Sequence, residues 1–221
     1  MRGRPQTIGV GPFGHSFICD LAKCRDAVDP IVLSEEPIGA PPLSEHASSY
    51  ILATWRPMPL FCELVSHMSL ERNKPFIPIV MESDRLAIGP VVIPGGQGCW
   101  QCYVKRSQQH PRAAVERSAL LHYYASHPTE GPGGHLRPFA FIAAGLCGAI
   151  LEELDNEVAQ PGQLWHLDLM TRRVTGGFLL GVHDCSYCGL HRPVRDRSIG
   201  DMQMHLSYLW DRRIRGEDDP T

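Results

Sequence analysis

Two pairs of cysteines have the residue type and the spacing of a metal site. Two residues separate Cys99 from Cys102, and Cys185 and Cys188 repeat that spacing. This spacing lets both sulfurs of a pair bind one metal ion, and four thiolates complete a tetrahedral zinc site. Because such a site has no open position for water, its role is structural. The sequence therefore predicts a four-cysteine zinc centre that joins two distant parts of one domain.

Two alternatives stay open for these pairs. They could be disulfides or free thiols, or each could be a redox-active CxxC motif. Neither pair is predicted at the end of a strand that opens a helix of the thioredoxin kind, which favours the metal. The other four cysteines are single and scattered along the chain, as expected for a protein of the reducing cytoplasm.

A glycine motif near the N-terminus is a candidate nucleotide site. It has the GxGxxG pattern, and two acidic residues follow about 20 residues later, where dinucleotide-binding folds place the acid that binds a ribose. Glycines in such a turn let backbone N–H groups approach a phosphate at the start of a helix. The same glycines also permit a tight turn with nothing bound. The candidate cofactor-binding residues are Gly9, Gly11, Gly14, Glu35 and Glu36.

Strand and helix patterns alternate in the first half of the chain, which predicts an α/β fold with a doubly wound, largely parallel sheet. Predicted strands are residues 6–10, 30–34, 50–54, 76–81 and 85–93, and predicted helices are residues 13–24 and 58–72.

The second half is predicted to be helical and then antiparallel. We expect helix over residues 103–127 with an interruption at Pro111, an exposed loop over 128–138, an apolar helix over 139–158, and a hairpin of strands 164–170 and 173–182. We divide the chain into one domain, residues 1–192, and a charged C-terminal segment, residues 193–221. The domain has a Rossmann-type half at about 6–93 and a zinc-stabilised half at about 94–192. The C-terminal segment contains one amphipathic turn.

Length and charge exclude several classes of protein. The chain has 221 residues and a formal net charge of −3, so nothing favours binding to the phosphates of nucleic acid. No stretch of the sequence is long and apolar enough to span a membrane, and the N-terminus has no apolar signal region. We expect a cytoplasmic protein without a membrane anchor.

Three motifs together resemble one family. They are the N-terminal glycine motif, the segment IGPVVIPGGQGCWQC at residues 88–102, and the segment VHDCSYCG at residues 182–189. The chain resembles the E1-like (ThiF/MoeB-type) proteins, most closely the branch that takes part in making thiazole- and oxazole-modified peptides. The resemblance covers about residues 6–190 and implies an E1-like Rossmann-type fold, a structural zinc and a homodimer.

Several features that the family needs for its reaction are absent. E1 enzymes adenylate a carboxylate, and they use an Asp after the second strand together with an Arg and a Lys that hold ATP. Here Glu35 and Glu36 follow that strand, and Arg56 is the next basic residue. Only Cys147 lies between the cysteine pairs, within the predicted apolar helix, so we assign no catalytic residue. We also expect no N-terminal peptide-binding clamp, since residues 6–10 already form the first strand.

Three functions are compatible with these motifs. The first is a non-catalytic partner in bacteriocin-type peptide biosynthesis, which assembles a precursor peptide, or a separate leader-binding protein, with a YcaO-type cyclodehydratase. The second is an ATP-dependent adenylyltransferase, in which Glu35 or Glu36 binds the ribose and Arg56 or Arg72 binds phosphates. The third is a zinc-stabilised NAD(P)- or FAD-dependent oxidoreductase, which only the glycine motif and its acid support. We favour the first.

Overall fold

One seven-stranded sheet forms the centre of the computed structural model, which describes residues 3–25, 29–34, 39–108, 114–127, 129–132, 134–183 and 185–189. The strand order is β2-β1-β3-β4-β5-β6-β7. The strands are β1 (Gln6–Val10), β2 (Asp29–Leu33), β3 (Tyr50–Thr54), β4 (Phe76–Met81), β5 (Arg85–Ile88), β6 (Gln163–Asp168) and β7 (Val174–Phe178). The helices are α1 (Gly11–Cys24), α2 (Pro59–Glu71), α3 (Trp100–Gln108), α4 (Ala114–Ser126) and α5 (Arg137–Asp155).

The first four strands are parallel. β1 lies between β2 and β3, and β4 continues the sheet on the far side of β3. Every residue of β1, β3 and β4 is buried, as expected for strands that are covered by helices on both faces. The prediction of an α/β fold with a largely parallel first half is confirmed.

The last three strands are antiparallel, so the sheet changes direction at β5. The predicted hairpin is confirmed, because β6 and β7 pair across a turn that includes Arg172 with a φ of 60°. The Asp168 carboxylate accepts hydrogen bonds from the backbone N–H groups of Met170 (2.9 Å) and Thr171 (2.6 Å), which fixes this turn. Both strands are shorter than predicted.

The fifth strand was predicted to extend to residue 93, and that prediction is wrong. β5 ends at Ile88, because Gly89 has a φ of 100° and the following residue, Pro90, cannot donate to a ladder. After Pro90 the chain contacts the sheet through isolated backbone hydrogen bonds and not as a continuous strand. The Val91 N–H donates to the carbonyl of Gln163 at 2.8 Å, and a lone bridge joins Phe76 to Val92.

Two apolar layers lie on opposite faces of the sheet. One layer contains side chains of α1 and α5 packed on the sheet, and the other contains side chains of α2 and α3 together with the four paired cysteines. The largest buried side chains of the first layer include Phe13 and Phe17, and Cys147 of α5 is also buried there. Burial raises the pKa of the Cys147 thiol, which agrees with its assignment as an apolar core residue rather than a nucleophile.

Helix boundaries differ from prediction in instructive ways. α1 begins at Gly11, two residues early, with Pro12 in its first turn, where a missing N–H costs nothing. α3 begins at Trp100, so the first cysteine pair lies at the start of a helix and not in a turn before it. The interruption predicted at Pro111 and the segment 193–221 lie outside the described residues. Among the helices described, none is long and apolar enough to cross a membrane.

Candidate metal centre and the glycine turn

The four paired cysteines meet at one buried point. Their sulfur atoms all lie within 4.8 Å of one another. The Sγ of Cys99 is 3.8 Å from that of Cys102 and 3.5 Å from that of Cys185, and the Cys102 and Cys188 sulfurs are 3.4 Å apart. A zinc ion with Zn–S bonds of about 2.3 Å requires sulfurs about 3.8 Å apart in a tetrahedron, whereas a disulfide requires about 2.05 Å. The four cysteines could therefore hold one metal ion.

Local backbone geometry presents the sulfurs. Gly98 has a φ of 82° and turns the chain into α3, so that Cys99 and Cys102 share one face of its first turn. The second pair lies in a tight turn, in which the Gly189 N–H donates to the Cys185 carbonyl at 2.8 Å. A Cβ atom at position 189 would lie 2.5 Å from that carbonyl oxygen, so the turn requires glycine there. We call residues 185–189 the cysteine turn.

Polar groups around the sulfurs orient the two pairs. The Val182 N–H donates to the Cys102 sulfur at 3.2 Å, a contact that stabilises a thiolate. Gln101 lies between the cysteines of the first pair, and its Oε1 accepts hydrogen bonds from Ser186 at 3.0 Å and from the Cys185 thiol at 3.5 Å. These two contacts were not predicted.

The cysteine turn also packs on α2. The Tyr187 hydroxyl donates to Glu63 at 3.5 Å, and its ring meets the His67 ring edge-on with centroids 5.2 Å apart. Burial, followed by the nearby Glu63 carboxylate, raises the pKa of Tyr187, so the phenol stays protonated as a donor. The centre therefore connects α3, α2 and the chain that follows β7.

The thiols do not ionise equally without a metal. Hydrogen bonds from Cys102 and Cys99 lower the pKa of Cys188. A hydrogen bond with Cys188 raises the pKa of Cys102 to about 11, and hydrogen bonds with Cys102 and Cys188 raise the pKa of Cys99. A bound cation would remove these protons, since thiolates are its ligands. A buried four-sulfur donor set suits a soft, tetrahedral ion such as zinc.

The glycine turn follows β1 at the carboxyl end of the parallel strands. Gly9 and Gly14 touch, because a Cβ atom on Gly9 would lie 2.5 Å from the carbonyl oxygen of Gly14. Gly11 has a φ of 68°, and a Cβ atom there would lie 2.4 Å from the ring of Trp55. These glycines thus allow α1 to pack closely on β1 and leave room for an indole above the turn.

Trp55 was not singled out by the sequence, although the strand register explains its place. β3 pairs with β1 so that Thr54 lies beside Val10, which brings Trp55 next to Gly11. Gly131 lies against the six-membered ring of the indole, since a Cβ atom there would lie 2.6 Å from that ring, whereas Gly11 meets the five-membered ring. The indole Nε1 is buried and has no hydrogen-bond partner within the part of the chain that the structure describes.

Arg56, one of the two arginines predicted to bind nucleotide phosphates, contacts α4. The Arg56 side chain is 1% exposed, donates to the Tyr124 carbonyl at 3.1 Å, and lies 4.8 Å from the centre of the Tyr124 ring. Glu35 and Glu36 lie outside the described residues. The nucleotide-binding role of Gly9, Gly11 and Gly14 stays a prediction, and the structure brings all three to the carboxyl end of β1.

The fold is shared with solved structures of two kinds. The heterocyclase TruD matches with a TM-score of 0.58 and 17% identity over 85% of this chain and 28% of TruD. A heterocyclase in complex with substrate and cofactor matches with a TM-score of 0.56 and 18% identity, over 85% of this chain and 26% of the other. E. coli MccB with succinimide matches with a TM-score of 0.56 and 14% identity, over 85% of this chain and 66% of MccB.

These likenesses establish the fold and no more. The chain spans 28% and 26% of the lengths of the two heterocyclases. A search against protein-family models finds no match, and no curated protein matches the sequence significantly. The chain therefore has a mixed α/β fold similar to that of TruD and MccB, with four cysteines that could hold a metal ion.

Proposed function

We propose that the chain is a non-catalytic, E1-like component of the machinery that makes ribosomally synthesised, heterocycle-modified peptides. Its role is to bring a precursor peptide, or a leader-binding protein, to a YcaO-type cyclodehydratase. A structural zinc held by Cys99, Cys102, Cys185 and Cys188 keeps the shape of the protein. The domain bounds of 1–192 and a homodimer belong to the same proposal.

Similarity of fold supports the biosynthetic context. The solved structures that share this fold include two heterocyclases, one of them with substrate and cofactor, and MccB with AMPCPP and MccA. This chain covers 28% of TruD and 26% of the second heterocyclase, so their activities are not carried over to it as a whole.

The observation that carries the proposal is the Trp55 indole above Gly11. A phosphate binds a glycine turn because bare backbone N–H groups can approach it closely. Here the Trp55 ring lies 2.4 Å from where a Gly11 Cβ atom would be, and Gly131 packs against the six-membered end of the same indole. The turn serves packing between β1, α1 and β3, and the metal centre preserves the second half of the fold.

Arg56 supports the same conclusion. A guanidinium that stabilises a transferring phosphoryl group has to point into the site. Arg56 lies beneath the Tyr124 ring and donates to the Tyr124 carbonyl. In this proposal Arg56 has a structural role, because it connects α4 to the residues that follow β3.

Reconstitution tests the proposal. A YcaO-type cyclodehydratase is assayed by mass spectrometry for loss of water from its precursor peptide, with and without the chain. We expect cyclodehydration to increase at least tenfold with the chain present. We also expect size-exclusion chromatography to show one complex of the three components. The Cys185→Ser variant should lose this stimulation, and Cys147→Ser, which changes a thiol outside the cluster, should keep it.

Calorimetry with nucleotides decides between the three functions. We expect the isolated chain to take up neither ATP–Mg nor NAD. Tight ATP–Mg binding together with ATP–pyrophosphate exchange would establish the adenylyltransferase instead. Tight NAD or FAD binding would favour the oxidoreductase.

A further inference from the structure

We propose that the open edge of β7 binds an extended, acidic peptide, which adds an eighth strand to the sheet. Within the described residues, β7 is the last strand in the order, and all five of its residues, Val174–Phe178, are exposed. An edge strand presents unpaired backbone donors and acceptors, and adding a strand is a common way to recognise a peptide. The strand is not protected by charged side chains or proline, the usual devices that block such pairing.

Hydrogen bonds at both ends of the hairpin fix which backbone groups face outward. The Asp168 N–H donates to the Arg173 carbonyl at 3.0 Å, and the Leu179 N–H donates to the Gly162 carbonyl at 2.7 Å. In an antiparallel pair, hydrogen-bonded and non-hydrogen-bonded residues alternate. The N–H and C=O groups that point away from β6 are therefore those of Val174, Gly176 and Phe178.

The side chains of the same residues form an apolar row. Val174 is 47% exposed and Phe178 is 59% exposed. Val174 lies opposite Leu167, a buried residue of the α1 and α5 layer, so the row extends that layer past the edge of the protein. Between Val174 and Phe178, a Cβ atom on Gly176 would lie 3.1 Å from the Trp165 indole, so this ring continues the apolar row, and Gly177 has open space on the other face. An added strand would thus gain backbone hydrogen bonds and an apolar face together.

Charge at both ends of β7 selects the kind of peptide. Arg172 and Arg173 precede the strand, and both are exposed. Arg106 lies at its other end, where its guanidinium donates to the Leu180 carbonyl at 3.2 Å. The nearest hairpin acid, Asp168, is held by the backbone of its own turn. A strand with no charge of its own between basic ends is complementary to a peptide with acidic residues.

This inference rests on the proposed function in one respect, since that function supplies a peptide that must be held. The test uses a synthetic probe, so the two can fail separately. The probe is a fluorescent ten-residue peptide of alternating glutamate and valine, and its binding to the full chain is measured by anisotropy. We expect saturable binding that weakens severalfold between low and moderate salt, because the attraction is partly between exposed charges. A lysine–valine probe should bind at least tenfold more weakly.

Two matched variants of one residue separate strand pairing from simple apolar contact. Val174→Pro removes an outward N–H at the first residue of an edge strand, where proline is tolerated. Val174→Ala removes two methyl groups, more apolar side chain than Val174→Pro removes, and keeps the N–H. We expect Val174→Pro to weaken probe binding about fivefold or more, as for the loss of one hydrogen bond, and Val174→Ala to weaken it about twofold.

Backbone methylation of the probe gives a second test that does not alter the protein. Methyl groups on one alternate set of probe amides should abolish binding, whereas methyl groups on the other set should leave it within about twofold. This test decides the matter if Val174→Pro fails to fold. The Arg173→Glu variant should bind the glutamate–valine probe about fivefold more weakly than the unchanged chain does, and it should bind the lysine–valine probe more tightly.

Three results would overturn the inference. They are absence of probe binding, equal binding by the two Val174 variants when both are folded, and indifference to which amides are methylated. A dimer that Val174→Pro dissociates, with no binding of the probe, would assign the edge to a second copy of the chain and also overturn it. Failure of the chain to stimulate a cyclodehydratase, while the probe binds as expected, would reject the proposed function and leave the edge as a peptide site.

Discussion

Removing the metal should reduce stability by an amount that can be worked out from the site. Four buried sulfurs with neighbouring atoms 3.4–3.8 Å apart form a preformed donor set, so we expect the folded chain to bind a zinc ion much more tightly than the unfolded chain does. A ligand of the folded state alone stabilises by RT ln(1 + [L]/Kd), which is about 4 kcal/mol at a thousandfold excess over Kd. In a protein of this size, 1 kcal/mol shifts Tm by roughly 2–4 °C, so a chelator should lower Tm by about 8–16 °C.

The measurement is calorimetry before and after dialysis against a chelator, with metal content determined in parallel. We expect one zinc per chain, loss of the Tm increment with the metal, and recovery when zinc returns. Cys185→Ser should lower both the metal content and Tm and should no longer respond to chelator. Cys147→Ser alters another buried cysteine, and it should keep its zinc and its full response.

Acid should have the same effect, because the ligands bind the ion as thiolates and compete for it with protons. Two findings would refute this account of the site. One is a purified chain without metal whose Tm does not rise with added zinc. The other is a Cys185→Ser variant that retains one equivalent of zinc and the wild-type Tm.

Three further predictions concern other parts of the fold. Gly11→Ala should lower the free energy of unfolding, measured by chemical denaturation, by about 2 kcal/mol or more, because Gly11 has a φ of 68° and an added Cβ atom would meet the Trp55 ring. Gly134→Ala is the control, since an added Cβ atom there meets open space, and it should leave stability nearly unchanged. Burial lowers the pKa of His135, so the folded state favours the neutral ring. The free energy of unfolding should therefore fall as pH drops below about 6.5, the pKa of His in the unfolded chain, and His135→Gln should reduce this pH dependence. Gly145→Ala in α5, also with open space, should stabilise a monomer by about 0.5–1 kcal/mol, and a drop in dimer affinity instead would locate the predicted homodimer interface on this helix.

Strands buried on both faces could be predicted to the residue, since continuous apolar runs such as 50–54 and 76–81 have no other stable place in an α/β fold. The meeting of the four paired cysteines could be predicted, because the spacing within each pair is typical of a metal site. The position of Trp55 above Gly11 could not be predicted, because it depends on the register of β3 against β1. The early end of β5 depends on the positive φ of Gly89, which the run of apolar residues around it conceals.

The metal centre has a consequence for the connectivity of the second half of the chain. Its ligands come from the start of α3 and from the cysteine turn after β7, so α3, α4, α5, β6 and β7 all lie between them in sequence. With the ion bound, this stretch becomes a closed ring whose two ends share one atom. A break anywhere in the ring leaves both pieces bound to the same metal, so a chain nicked there would keep the mass and shape of the intact protein until the metal is withdrawn.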